Sequence, residues 1–178
     1  VEPVLLDVYL TQATNVMLNI GIGVSLDNIN HQAVNWARSH TESILREMWR
    51  NRQDITAEML ANARQVGEII GQGYEQGLTI REISQRLQSY YSPVRAEMIA
   101  VTETTRAVVE GEKAYVEQLE RETGQRMIPI WMTANDERVC PICAPRNEKP
   151  ILNSTDFPPA HPRCRCGVGW DFVKEGAV

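Results

Sequence analysis

The chain has 178 residues, 43% of them hydrophobic, and a formal net charge of -5. That composition supplies a core for one domain with a helical extension, and no window approaches the roughly 18 consecutive apolar residues of a membrane span. The N-terminus lacks a charged segment followed by an apolar signal core, and it opens on Val1 rather than methionine, which leaves room for sequence ahead of it.

The charge is uneven. Residues 1–124 hold 11 basic and 17 acidic side chains, a net -6, whereas residues 125–178 hold 7 and 6, a net +1. An acidic body repels phosphate backbones, so bulk wrapping of nucleic acid is disfavoured. Arg138, Arg146, Arg163 and Arg165 could still make local phosphate contacts.

Five helices are expected in chain order. Val4 to Ile20 repeats apolar residues at helical spacing and stops at Gly21 and Gly23, which lack the third glycine and preceding strand of a phosphate-cradling loop. Asn28 to Arg52 is a second helical stretch, broken near Ser39, with Trp36 and Trp49 as core candidates. Asp54 to Gln76 is a third, weakened towards its end by Gly67, Gly71 and Gly73 and closed by Gly77. Thr79-Ile80-Arg81-Glu82 is a capping box opening a short helix to about Tyr90. Ser92-Pro93 then combines an N-cap serine with proline at the first helical position. The helix it opens carries Val94, Met98, Val101, Val108, Tyr115 and Leu119 as its stripe and ends at Gly124.

Beyond Gly124 the pattern changes. Met127 to Thr133 is short, apolar and interrupted by Pro129, as suits an edge strand. Cys164 to Val173 alternates, with Cys164, Cys166, Val168, Trp170 and Phe172 on one face and Arg165, Gly167, Gly169 and Asp171 on the other. Residues 144–163 between the strands are rich in proline and polar groups, and so long a loop needs an anchor.

The cysteines offer one. Cys140-Pro141-Ile142-Cys143 and His161-Pro162-Arg163-Cys164 share the form ligand-Pro-x-Cys, in which a tight turn aims two donors at one centre, and Cys166 follows on the face of Cys164. The repeat favours Cys140, Cys143, His161 and Cys164 around a structural zinc, with Cys166 able to replace His161 or Cys164. Two disulfides are the competing arrangement, but no secretion signal accompanies the cysteines. A redox pair at Cys140 and Cys143 is weaker still, since the motif opens no thioredoxin-like helix.

No catalytic residues are assigned. His40-Thr41-Glu42 is a poor match to the His-x-Glu of zinc deaminases, because Val139 rather than proline precedes Cys140. His31, His40 and Glu42 read as a solvated helix face. Asp136 and Glu137 lie near the metal loop, where capping the turn or supporting the ligands suits them better than acid–base work.

Residues 131–143, from Trp131-Met132-Thr133-Ala134-Asn135-Asp136 to Cys140-Pro141-Ile142-Cys143, together with Pro158-Pro159-Ala160-His161-Pro162-Arg163-Cys164-Arg165-Cys166, resemble the phage Mu F-like head morphogenesis family. The resemblance extends back through Ile99-Ala100-Val101-Thr102-Glu103-Thr104 and Gly77-Leu78-Thr79, and covers residues 75–173. Val101 stands where the family usually has arginine, while Thr102 and Glu103 are retained. The resemblance implies a minor capsid protein of a tailed phage or prophage, without enzymatic activity. It implies portal, capsid or scaffold partners, assembly in the host cytoplasm, and a place in the virion near the portal or inside the head.

The expected fold class is α+β: a mainly helical body with one long helix, followed by a small zinc-pinned β-hairpin module. Residues 1–74 are expected to be a partner-binding helical extension, 75–173 the head morphogenesis domain with its zinc module at 127–173, and 174–178 a tail. A zinc-dependent enzyme acting on nucleic acid or a nucleotide, and a nucleic-acid-binding zinc module, are the alternatives.

Overall fold

The computed structural model describes residues 31–39 and 57–173. The helix expected at 4–20, the glycines after it, Trp49, His40, Glu42 and the tail at 174–178 lie outside the described residues. Residues 31–39 are helical (α1) and are followed by α2 (Ala57–Glu75), α3 (Ile80–Leu87), α4 (Pro93–Thr123), β1 (Met127–Met132) and β2 (Gly167–Phe172). The class is mixed: helices plus one small antiparallel two-stranded sheet.

Ala33, Val34 and Ala37 of α1 are buried with Val66, Ile69, Ile70 and Tyr74 of α2, and Trp36 packs partly buried against them. The glycines expected to weaken α2 do not end it. Gly73 is needed for contact, because a Cβ there would sit 2.6 Å from Cδ1 of the buried Ile83 in α3. The helix closes where expected, at Gly77, whose φ of 62° lets Leu78 N–H reach the Gly73 carbonyl at 2.8 Å and Gly77 N–H reach that of Tyr74.

The capping box forms as the sequence predicts. Glu82 N–H donates to Thr79 Oγ1 at 3.3 Å, and Thr79 N–H donates to the Glu82 carboxylate at 2.8 Å. The helix ends at Leu87 rather than near Tyr90, because the Tyr90 and Tyr91 amides both turn back to the Leu87 carbonyl.

Helix α4 spans 31 residues, with Pro93 at its first turn and Gly124 in the left-handed conformation at its end. Ser92 occupies the N-cap position, but its side chain makes no capping bond. The expected apolar stripe needs correction at Val94, which is 69% exposed, whereas Val101 is buried and Val108 packs partly buried as expected. The buried residues of the face turned to α2 and α3 are Ala96, Ala100 and Ala107. Small residues let the helices approach closely, a packing that a search for large apolar side chains overlooks.

Two cores divide along this helix. Its first half packs with α1, α2 and α3. Its second half, through Val109, Tyr115, Val116 and Leu119, packs against Trp131, Cys143, Ile151, Cys164, Cys166, Val168 and Trp170. The apolar end of α4 therefore forms the floor on which the strands and cysteine turns rest.

In the sheet, Met127 pairs with Phe172 and Met132 with Gly167. Residues 148–151 close the other side of β1, with Trp131 N–H donating to the Lys149 carbonyl and Ile151 N–H to that of Pro129, both at 2.8 Å. Pro129 faces this short segment, where its missing N–H breaks no bond between the named strands. Strand β2 is buried on both faces over Gly167–Trp170, and Met132 crosses Gly169 so closely that a Cβ there would lie 3.2 Å from its Cγ and require the methionine to shift slightly.

Glu112 lies in α4 at 3% exposure, and its Oε2 has no hydrogen-bond partner among the described residues. Burial pushes its carboxyl up to about 8 from an ordinary 4.5. The unfolded chain loses this proton near the ordinary value while the folded chain keeps it. Between the two, rising pH disfavours folding by about 1.4 kcal/mol per unit. Stability measured by denaturant titration from pH 5 to 8 should therefore fall in the wild type relative to Glu112→Gln, and a constant difference between the two would contradict the assignment.

Candidate metal centre

The two ligand-Pro-x-Cys segments both fold as tight turns, but of different kinds, since Arg163 is left-handed and its counterpart Ile142 is not. Cys143 N–H donates to the Cys140 carbonyl and Cys164 N–H to the His161 carbonyl, each at 3.1 Å. Proline as second residue presets each bend, and Arg163 completes its turn with a φ of 61°. The first turn runs into a 3-10 turn at Ala144–Arg146, and the second leads through Cys166 into β2.

These turns bring all five sequence candidates together in two overlapping groups. The ligand atoms of Cys140, Cys143 and His161 lie within 4.8 Å of one another, as do those of Cys143, Cys164 and Cys166. Cys143 belongs to both. His161 Nε2 is 3.1 Å from Cys140 Sγ and 3.3 Å from Cys143 Sγ, and Cys143 Sγ is 3.9 Å from Cys164 Sγ. None of the four cysteines is bonded to another in this structure. Cys143, Cys164 and Cys166 are buried, while Cys140 and His161 are half-buried at the rim. The Cys/His groups are thus positioned to bind a metal.

The protonation pattern follows from the contacts. His161 Nδ1 lies 2.8 Å from the Pro162 carbonyl, which can only accept, so Nδ1 carries a proton and Nε2 faces the thiols. That carbonyl raises the pKa of His161 despite partial burial, and the charges of Cys164 and Cys140 add to it. Hydrogen bonding from the Cys166 thiol, aided by the Cys166 and Ala160 backbone, lowers Cys164 to about 5 against burial. Burial first, then the neighbouring thiols, pushes Cys143 up to about 12. At Cys140 burial is outweighed by bonds from the Cys143 and Ile142 backbone and the Cys143 and His161 side chains, and its pKa falls. Each group therefore contains one thiol whose pKa is lowered, Cys140 in one and Cys164 in the other, which favours the thiolate form that binds metal.

Around the donors, Asp136 organises the loop. Its carboxylate takes a two-point bond from Arg165 at 2.7 and 2.8 Å and accepts from Arg138 N–H at 3.0 Å. Arg165, first of all, holds its carboxyl down at about 2. The bond from Arg138 N–H is the turn-capping expected for Asp136; its other partner is not a ligand candidate but Arg165, the residue between Cys164 and Cys166. A cavity of about 30 Å³ adjoins Cys140, Cys143, His161 and Cys166, about the space of one water.

Several supports carry no signal in the spacing of the sequence. Thr133 donates from both backbone and hydroxyl to Asn147 Oδ1, at 2.9 and 2.8 Å, and joins the end of β1 to the loop. Thr102 and Thr105 of α4 reach the second turn across about 60 residues of chain. Of the arginines considered for phosphate contacts, Arg165 is bound to Asp136, Arg146 lies over the Trp131 ring at 5.0 Å, and Arg163 reaches Val94 O and Glu97.

The helical pair, the small sheet and the cysteine turns coincide with a known sequence family. The model for Phage Mu protein F like protein matches residues 64–169, more than half of the chain, and the chain belongs to this phage head morphogenesis family. The match begins within α2 and includes all five Cys/His candidates. No curated protein and no solved structure gives a match.

Replacing Asp136 with Asn should cost about 1 kcal/mol, the range of a partly exposed ion pair. Because the folded carboxyl is depressed, this contribution is full above the ordinary value of 3.8 and is lost as pH falls towards about 2. Thermal unfolding at neutral pH checks it, and an unchanged midpoint would contradict a supporting role for the pair.

Proposed function

We propose that this protein is a minor capsid component, present in few copies near the portal or inside the head, whose C-terminal module is pinned by one structural zinc. Membership of the head morphogenesis family supports the first half. The second half is carried by one observation, the convergence of five Cys/His donors on Cys143. With zinc–sulfur bonds of about 2.3 Å, two thiolates on a tetrahedral centre lie about 3.8 Å apart. The Cys143–Cys164 separation of 3.9 Å fits that edge, and the His161 distances are a few tenths of an ångström shorter than a sulfur–nitrogen edge. Cys164 stands outside the close group of Cys140, Cys143 and His161, so a single centre requires the two turns to draw together on binding.

Cys140, Cys143 and Cys164 are assigned as ligands with His161 as the fourth, because the Pro162 carbonyl holds the imidazole with Nε2 towards the thiols. Cys166 remains the substitute, as the buried third member of its group. The metal's role is mechanical, since four protein donors leave no position for substrate.

The acidic helical part, including residues 1–74, is assigned to contacts with other virion proteins such as portal, capsid or scaffold, in head assembly or DNA delivery. An acidic surface suits protein partners better than a phosphate backbone. Residues 75–173 then form the head morphogenesis domain.

Native mass spectrometry should find one zinc per chain, lost with chelator, in the wild type. His161→Ala should lose zinc and Cys166→Ser should retain it. A metal-free chain with two disulfides overturns the zinc site, and the reverse pattern in the variants exchanges the fourth ligand. Labelling the chain in assembled particles should place it at the portal vertex or the head interior, and its absence from particles would overturn the capsid assignment.

A further inference from the structure

We infer that Thr102 and Thr105 of α4 are positioning residues for metal binding, holding the His161–Cys164 turn in register from outside the module. This rests on the zinc site proposed above.

The second cysteine turn is fastened to the long helix by two hydroxyls one helical turn apart. Arg163 N–H donates to Thr102 Oγ1 at 2.9 Å, and Thr105 Oγ1 donates to the Cys164 carbonyl at 3.0 Å. The polarity of both bonds is determined. Thr102 also lies 2.7 Å from the Met98 carbonyl, which takes its proton and leaves a lone pair for Arg163. Thr105, at 7% exposure, meets a carbonyl that can only accept. One threonine thus fixes the amide of the residue before Cys164, and the other fixes the carbonyl of Cys164 itself.

The turn needs this help. Arg163 sits at a φ of 61°, a conformation that costs a non-glycine residue free energy unless its surroundings hold it. Its side chain adds a bond to the Val94 carbonyl at 3.2 Å and an exposed contact with Glu97 at 3.4 Å. The first turn runs on into the 3-10 turn at Ala144–Arg146. Through the two threonines the helix sets the placement of the second half of the site.

Thr104, between the two, is the internal control. It is 2% exposed, and its hydroxyl has no partner among the described residues, so its removal disturbs neither turn nor bond. Removing an unpaired buried hydroxyl is neutral or stabilising.

The test compares zinc affinity by chelator competition in the full chain for the wild type and for Thr102→Val, Thr105→Val, Thr105→Ser and Thr104→Val. The absorption spectrum of the cobalt-substituted protein is recorded alongside. Thr102→Val and Thr105→Val should each weaken zinc binding by about tenfold or more, the usual effect of losing a hydrogen bond that orients a metal site. Thr105→Ser should restore affinity, Thr104→Val should leave it unchanged, and the cobalt bands should shift in the two weakened variants alone. Wild-type affinity and spectra in Thr102→Val and Thr105→Val overturn the inference while leaving the zinc site standing. An equal loss in Thr104→Val also overturns it, since the effect would then be one of general helix packing. A wild type that binds neither zinc nor cobalt removes the metal site and this inference together.

Discussion

The terminal module depends on how a polar, proline-rich loop is held shut. Residues 144–163 bury little beyond Ile151, Pro158 and part of Phe157, yet ordering each residue costs about 1 to 2 kcal/mol. Both ends of this loop are cysteine turns, and Cys143 at one end meets His161, Cys164 and Cys166 at the other. Hydrogen bonds to β1 and to Asn147 align the loop, but closure is concentrated at the thiols. A structural zinc is worth about 10 to 16 kcal/mol in small peptides, comparable with the stability of a whole domain. On the proposed account it supplies what the missing apolar surface does not.

This closure is built on the long helix. The second half of α4 gives the module its apolar floor, and Thr102 and Thr105 reach the second turn from the stretch just before it. The first half belongs to a separate core with α1, α2 and α3. One continuous element thus joins a conventionally packed helical unit to a module whose own core is small. Helix α4 runs without a break from one core into the other.

Much of this was legible in the sequence wherever a local rule decided the outcome. The capping box at Thr79, proline at the start of α4, and glycine at both Gly77 and Gly124 each act within a few residues, and each appears where expected. The repeated ligand-Pro-x-Cys form gave both turns and the gathering of all five candidates. What escaped depends on partners distant in the chain. Val94 looked like core and is exposed, because the helices pack on alanines; Gly73 looked like a weakness and is a contact point for Ile83. Of the threonines that fasten the second turn, Thr102 was part of a family resemblance and Thr105 was not singled out, and nothing in their spacing pointed to Arg163 or Cys164. The ligand-Pro-x-Cys repeat led to one set of four, whereas the geometry forms two groups of three sharing Cys143.

On this reading metal binding, rather than apolar burial, keeps the loop between the cysteine turns closed. Limited trypsin digestion with and without chelator, followed by mass analysis, tests this, because Arg146 and Arg163 lie in that loop and neither is followed by proline. Chelation should make cleavage begin between Ala144 and Arg163 while α2, α3 and the first half of α4 stay protected. A loop that remains protected without metal, or cleavage that begins in residues 57–107, would contradict the claim.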